Sequence, residues 1–198
     1  MKNKKYKKSF RYEECEAKLI LEKYVSDRYS SILLKDKPDL QDETNNIGIE
    51  VTSSIPPEKR RAINNWIEEC ESNGYNVDFW DAYECSFEEI KDKPEKNQYN
   101  DFLHAFIRKR NKLSSGGYEI FETYDLFILS EEQIFLEKIP ELLQTLVELN
   151  NVTPHYSCVY MYTQCMLITF DLNNVTYKID IIDEQHEIAV KAESIVEE

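Results

Sequence analysis

Glycine is scarce in this 198-residue chain, with four in all, and the scarcity excludes whole classes of chemistry. Neither Gly-x-x-x-x-Gly-Lys nor Gly-x-Gly-x-x-Gly occurs, and Gly116-Gly117 stands alone, so no loop is built to cradle a nucleotide's phosphates and no nucleotide cofactor is expected. Nor is there a Gly-x-Ser-x-Gly elbow or a Cys-His pattern of the kind acyl transfer uses. The five cysteines (Cys15, Cys70, Cys85, Cys158, Cys165) are odd in number and never spaced Cys-x-x-Cys, which argues against a disulfide framework or a zinc ribbon. They read instead as small buried hydrophobes. His104, His155 and His186 are scattered among no obvious co-ligands. No run approaches the roughly 20 apolar residues that span a bilayer, and the basic start "MKNKKYKKSF" leads into "RYEECEAKLILEKY" rather than the apolar core of a signal peptide. The expectation is a soluble cytoplasmic protein with no membrane partner.

What the chain has is a core's worth of apolar side chains and a surplus of acid. At 41% hydrophobic, with 13 Tyr and 9 Phe, it is long enough to fold as a single domain over residues 1–198. Its net charge of −14 opposes broad attraction to nucleic acid, since phosphate affinity comes largely from Lys and Arg displacing counterions. The charge is uneven, however. Residues 1–11 carry six of the 24 basic side chains and no acid, a basic and flexible tail, leaving 18 basic against 38 acidic residues in the remainder. Lys59-Arg60-Arg61 and Arg108-Lys109-Arg110 with Lys112 are the other basic clusters, and each reads equally well as a solvated helix face.

Ala17, Ile20, Leu21 and Tyr24 recur at helical spacing, with Glu13 inside that stripe and Glu16 beside it. "SSILLK" at 30–35, "PDLQ" from Pro38 and "IGIEVT" at 47–52 read as short strands of a meander. After Pro56-Pro57 a helix is predicted whose buried face is Ile63, Trp66, Ile67 and Cys70, with Lys59 on that face. "YNVDFWDAYEC" is a candidate strand, "KDKPEKNQ" a loop, and 98–113 a helix with Phe102, Phe106 and Leu113 inward and Lys109 at its edge. "YDLFIL" at 124–129 has the near-continuous apolar character of a central strand. Ser130 and Gln133 suggest a capping box for a helix running to about Asn150 with Phe135, Ile139, Leu142, Leu143 and Leu146 inward. "YSCVYMYT", "MLITFDL" and "VTYKIDII" follow as strands, the last two joined at Asn173-Asn174. The fold class expected is α/β, a mixed central sheet flanked by helices.

One stretch carries chemistry. Residues two apart on a strand share a face, so Glu50 projects with Thr52, and Asp39 with Gln41 on the neighbouring strand. Pairing those strands across the short turn lets Asp39 and Glu50 converge. A charge in the middle of "IGIEVT" is costly if buried without a partner, and two adjacent carboxylates repel, so such a pair calls for a cation or a structural ion pair. Asp39 reads equally as a turn residue after Pro38. Oxygen-only donors favour Mg²⁺ or Mn²⁺.

Pro38-Asp39, followed eleven residues later by Glu50-Val51-Thr52 on an apolar strand and preceded by a helix offering Glu13, resembles the PD-(D/E)XK superfamily of restriction-endonuclease-like nucleases. The segment "FIRKRNKLSSGGYEIFETYDLFIL" is similar to uncharacterised bacterial and phage-type members, which show an Ile, Lys, Lys, Tyr series before an apolar strand. The resemblance implies a restriction-endonuclease-like fold and Mg²⁺- or Mn²⁺-dependent hydrolysis of phosphodiester bonds in nucleic acid, DNA ahead of RNA. Asp39 and Glu50 would be metal ligands, Glu13 a third, and a lysine would orient the attacking water. Thr52 departs from the pattern by standing where that lysine belongs, and a hydroxyl supplies no positive charge. Either a helix supplies the lysine, Lys59 before Lys109, or the site binds without cutting. A third reading is an acidic inhibitor or interaction protein that mimics nucleic acid. A homodimer or a protein partner stays open in each case.

Overall fold

The computed structural model describes residues 11–75, 99–132, 134–163 and 165–197. The basic tail up to residue 10, Cys85, Gln133 and the stretches "YNVDFWDAYEC" and "KDKPEKNQ", save the first Tyr75, lie outside the described residues. The order is α1 (Tyr12–Tyr24), β1 (Leu33–Leu34), β2 (Leu40–Asp42), β3 (Ile47–Ser53), α2 (Pro57–Ser72), α3 (Asn100–Ser114), β4 (Thr123–Leu129), a 3₁₀ turn at Leu136–Lys138, α4 (Ile139–Leu149), β5 (Tyr156–Thr163), β6 (Met166–Asp171), β7 (Thr176–Ile181) and α5 (Gln185–Glu197).

The seven strands form one mixed sheet in the order β1-β2-β3-β4-β5-β6-β7, which is also their order in the chain. β1, β2 and β3 are an antiparallel meander, β4 runs parallel to β3 and to β5, and β5, β6 and β7 make a second antiparallel meander. The parallel centre explains its sequence: β4 is covered on both faces and is buried from Tyr124 to Leu129. Alternation then sorts its side chains. Phe127 and Leu129 join Ile49, Val51, Tyr160 and Leu167 under α1 and α5, with Ala17, Ile20, Leu21 and Ile188 above them. Leu126 and Ile128 join Val159, Met161 and Ile168 on the opposite face under α3 and α4, with Phe102, Phe106, Leu142 and Leu146.

Two predicted helices differ in detail. The helix expected from Ser130 begins at Ile139, with Pro140 in its first turn, where a missing N–H costs nothing; ahead of it Phe135 is 55% exposed. In α2, Trp66 is 39% exposed, so the apolar stripe of that helix is not a fully buried one. The C-terminal α5 has no counterpart among the predicted elements. Cys15 and Cys158 are buried, Cys70 is half-buried and Cys165 is exposed. Among the described residues no helix is long and apolar enough to cross a membrane.

Two buried carboxylates staple the fold. Asp125 on β4, fully buried, accepts from Arg28 Nε (2.7 Å) and Nη2 (2.8 Å), the Tyr29 hydroxyl (2.7 Å) and the Cys158 amide (2.9 Å), and Tyr29 also meets the Tyr160 hydroxyl at 2.8 Å. Asp42 closes the β2–β3 turn by accepting from the amides of Ser30, Thr44 and Asn45. With four acceptor sites each, both carboxylates are satisfied without a metal.

Candidate active site

β2 and β3 bring the predicted pair together. Leu40 lies opposite Ile49, and one step outward along that register Asp39 comes opposite Glu50. β2 has ended by then, and the Asp39 carboxylate supplies the missing acceptor: its Oδ2 takes the Val51 amide at 2.9 Å. Gln41, 4% exposed, donates to the Pro38 carbonyl at 3.4 Å and ties the approach to the strand. Gly48 is required here for space. A Cβ at that position would stand 2.7 Å from Pro38 Cγ and 2.9 Å from Phe121 Cδ2, so its absence lets the Pro38-Asp39 segment close onto β3.

Glu50 is 3% exposed and faces α3. Its Oε1 accepts from Lys109 Nζ at 2.5 Å and from Lys112 Nζ at 3.0 Å, two lysines one turn apart on that helix. Lys109 also reaches the Val51 carbonyl at 3.4 Å. Among the described residues Oε2 of Glu50 is buried without a well-formed hydrogen bond, and the Tyr118 hydroxyl stands close to both Glu50 and the Tyr156 hydroxyl. Burial, then the charges of Tyr156 and Glu50 and hydrogen bonding to both, raises the Tyr118 phenol, while burial and the charge of Glu50 raise the Tyr156 phenol against a lowering by Tyr118; both stay neutral donors. Lys112 lies 4.4 Å over the Tyr118 ring, which gives its ammonium a second anchor. Burial, then the charge of Glu50, pushes the Asp39 carboxyl above its ordinary value, while the Val51 amide, Lys109 and Lys112 pull it back.

The other predicted residues are placed nearby but in different roles. Thr52 shares the Glu50 face, and its hydroxyl accepts from Arg108 Nη2 at 3.1 Å, so an arginine occupies the neighbourhood in which the motif lysine is missing. Lys59, on α2, lies near Glu131 beyond the end of β4, whose carboxyl burial raises and Lys59 lowers. Of the two candidate lysines, Lys59 and Lys109, it is thus Lys109 that meets Glu50. Glu13 pairs with Arg60 at 2.9 Å, and Arg60 also donates to Ser53 Oγ. Its neighbour Glu14 is the α1 carboxylate whose environment includes Asp39: burial raises Glu14 first, the Arg11 amide lowers it, and Asp39 raises it further. A cleft of about 240 Å³ opens between the start of α1, the end of β3, α2 and α3; Val51 and Lys109 line it, whereas Asp39 and Glu50 do not. Glu13, Glu14, Thr52, Arg60, Arg108 and Lys109 all line it, so it brings together side chains from three separate basic segments when Arg11 is included.

Lys112, Arg108, Glu14 and Tyr118 were not singled out as site residues by sequence reasoning. Lys112 and Tyr118 had a signal, since both lie inside the segment that resembles phage-type nucleases, and Lys112 follows Lys109 by three residues.

As a metal site the arrangement is lean. Among the described residues no group of three His, Cys, Asp or Glu is placed to hold an ion. Glu50 Oε2 is nevertheless a buried carboxylate oxygen without a well-formed hydrogen bond among the described residues, and Asp39 stands opposite it on the neighbouring strand. That set fits Mg²⁺ or Mn²⁺, which keep several waters and need only one or two protein carboxylates beside a phosphate. The chain matches no family model, no curated protein and no solved structure.

Proposed function

We propose that this protein is a metal-dependent nuclease, hydrolysing phosphodiester bonds of nucleic acid, with Asp39, Glu50 and Lys109 as its working set. The observation that carries the reading is the state of Glu50: an enclosed carboxylate with one oxygen shared by two ammonium groups, while the other has no well-formed hydrogen bond among the described residues and only the Tyr118 hydroxyl close by. A purely structural ion pair in that position should satisfy both oxygens, because an unpaired buried acceptor costs about 1–3 kcal/mol. The meander that sets Asp39 against Glu50, followed by a helix and a strand parallel to β3, is compatible with the superfamily the sequence resembles.

Charge supports the same reading. Asp39 and Glu50 are balanced by Lys109 and Lys112, so the four groups sum to zero. A bound divalent cation would raise that sum to two positive charges, matching a phosphodiester and an attacking hydroxide of one negative charge each. Mg²⁺ or Mn²⁺ would polarise the phosphoryl oxygens and make a bound water acidic. Asp39 and Glu50 would hold the ion. Lys109, already within reach of Glu50, would orient the attacking water and meet charge developing on the phosphorus oxygens, while Lys112 keeps Glu50 Oε1 occupied. Arg108, held by the Thr52 hydroxyl in the lining of the cleft, would receive the flanking phosphate.

The test is cleavage of plasmid and single-stranded DNA with Mg²⁺ or Mn²⁺, comparing wild type with Glu50→Ala and Lys109→Ala purified identically. Cutting by wild type and loss in both variants supports the nuclease; equal cutting by all three, or none by wild type, refutes it. A second reading, a member that binds nucleic acid without cutting, is favoured by the neutrality of the four charges without any ion. Wild type that binds DNA, with an affinity falling steeply as salt rises, and cuts none would select it.

A further inference from the structure

The far edge of the sheet carries a sequence that is complementary to itself. β7 reads Thr176-Tyr177-Lys178-Ile179-Asp180-Ile181 and, among the described residues, pairs on one side only, with β6. Tyr177 is 43% and Ile181 62% exposed, two large apolar side chains on one face of the same edge strand. On the other face Lys178 and Asp180 pair at 2.9 Å, and Asp180 keeps a buried Oδ2 without a hydrogen-bond partner among the described residues.

The ladder fixes which backbone groups point outward. Ile182 donates to the Cys165 carbonyl at 2.9 Å, and antiparallel pairs alternate between bonded and non-bonded positions. Asp180 and Lys178 therefore turn their amides and carbonyls toward β6. Tyr177, Ile179 and Ile181 turn theirs to the open edge.

We propose that β7 is a homodimerisation strand that pairs antiparallel with the β7 of a second copy, about a two-fold axis through Ile179. In that register the outward-facing residues oppose one another, Tyr177 with Ile181 and Ile179 with Ile179, which closes a ladder of about six backbone hydrogen bonds. Tyr177 and Ile181 cover each other twice on the face of α4. On the opposite face Lys178 meets Asp180 of the other copy twice, at non-bonded positions where Cα atoms approach to about 4.5 Å and side chains are closest.

The charges select this register. Moving the axis to Lys178 or to Asp180 preserves the hydrogen-bond alternation but sets lysine against lysine or aspartate against aspartate. A lysine on an edge strand ordinarily discourages pairing; two residues from an aspartate, it discourages every register but one. Two copies of a chain carrying −14 also repel at long range, so the dimer should tighten as salt is raised through the physiological range while the short Lys178–Asp180 contacts are screened less.

The test uses sedimentation of the full chain over a concentration series, with far-UV circular dichroism confirming that each variant is folded. Wild type is expected to shift from 23.5 kDa to twice that mass as concentration rises. Lys178→Asp alone and Asp180→Lys alone should each weaken the dimer at least tenfold by opposing like charges. Mixing these two variants should restore it as a heterodimer, since every 178–180 contact is again between opposite charges, and the double exchange Lys178→Asp/Asp180→Lys should restore the homodimer. Ile181→Pro, which removes an outward amide and no β6 rung, should abolish it. Wild type that stays at 23.5 kDa throughout overturns the proposal, and so do single charge variants that dimerise like wild type or a mixture that fails to recover.

Discussion

Replacing Glu50 with glutamine separates a working carboxylate from an incidental one, because the shape is kept and only the charge is lost. With ammonium groups at 2.5 and 3.0 Å, each attraction is on the order of 5–7 kcal/mol at an effective dielectric of about 20. Desolvation of the buried carboxylate and of Lys109 takes back most of this, at several kcal/mol per ion. The Lys112 side chain is 44% exposed and can turn to water, so its share falls to about 1 kcal/mol. Lys109, 16% exposed, cannot escape as easily and is left beside a neutral carbonyl. The expected cost of Glu50→Gln is therefore about 2–3 kcal/mol, a fall in Tm of about 4–12 °C for a chain of this size. Adding Lys109→Met removes the stranded ammonium and should recover at least half of that loss, the non-additivity expected of groups in contact. Thermal and urea unfolding followed by circular dichroism measure both. Mn²⁺ at about a hundred times its Kd should stabilise wild type by about 2.7 kcal/mol and leave Glu50→Gln unmoved. A single variant as stable as wild type, or a double variant that is strictly additive, would show that the lysines do not depend on Glu50 and would remove the physical basis of the site.

Three further outcomes are expected. Gly48→Ala drives a methyl into Pro38 and Phe121 and should cost about 1–3 kcal/mol, with weaker Mn²⁺ stabilisation because Asp39 is displaced; a neutral effect on both would mean the Pro38 segment adjusts freely. Glu16 is 8% exposed against Glu13, Glu131 and the hydroxyls of Tyr162 and Tyr12, and burial first, then Glu13, raises its carboxyl from 4.5 to about 7. Its charged form opposes folding, so its contribution is most favourable below about pH 4.5 and is lost as pH rises through about 7: Glu16→Gln should add about 2–3 kcal/mol at pH 8 and little at pH 4.5, and equal effects at both would refute this. Asp125→Asn cannot serve Arg28, Tyr29 and Cys158 together and should cost about 3–5 kcal/mol, visible in urea melts; a loss under about 1 kcal/mol would contradict the network.

Much of the sheet was legible because its strands are apolar runs cut by turn residues, as in "IGIEVT" and "YDLFIL". The convergence of Asp39 with Glu50 followed from local pairing across a four-residue turn. What joined Glu50 from farther away was not legible: Lys109 lies 59 residues on, and only the packing of α3 decides between it and Lys59. Glu13 and Glu14 differ by about 100° on α1, so choosing between them needs the rotation of that helix on the sheet. α5 escaped notice because its buried contacts, Ile188 and Ala192, are too few to make a stripe among acidic neighbours. Asp125 was available by the logic applied to Glu50, a charge within a central strand, yet its apolar surroundings masked it.

The two margins of the sheet are unequal. β1 offers two residues, and β7 offers six. The proposed self-pairing of β7 about a two-fold axis would consume the long margin of both copies at once and leave the two-residue β1 at either end of the combined sheet. Such a stub is too short to template another strand. In the dimer proposed above, growth would therefore halt at two chains, with the shortness of β1 as the terminator that keeps the paired sheet from extending into fibres.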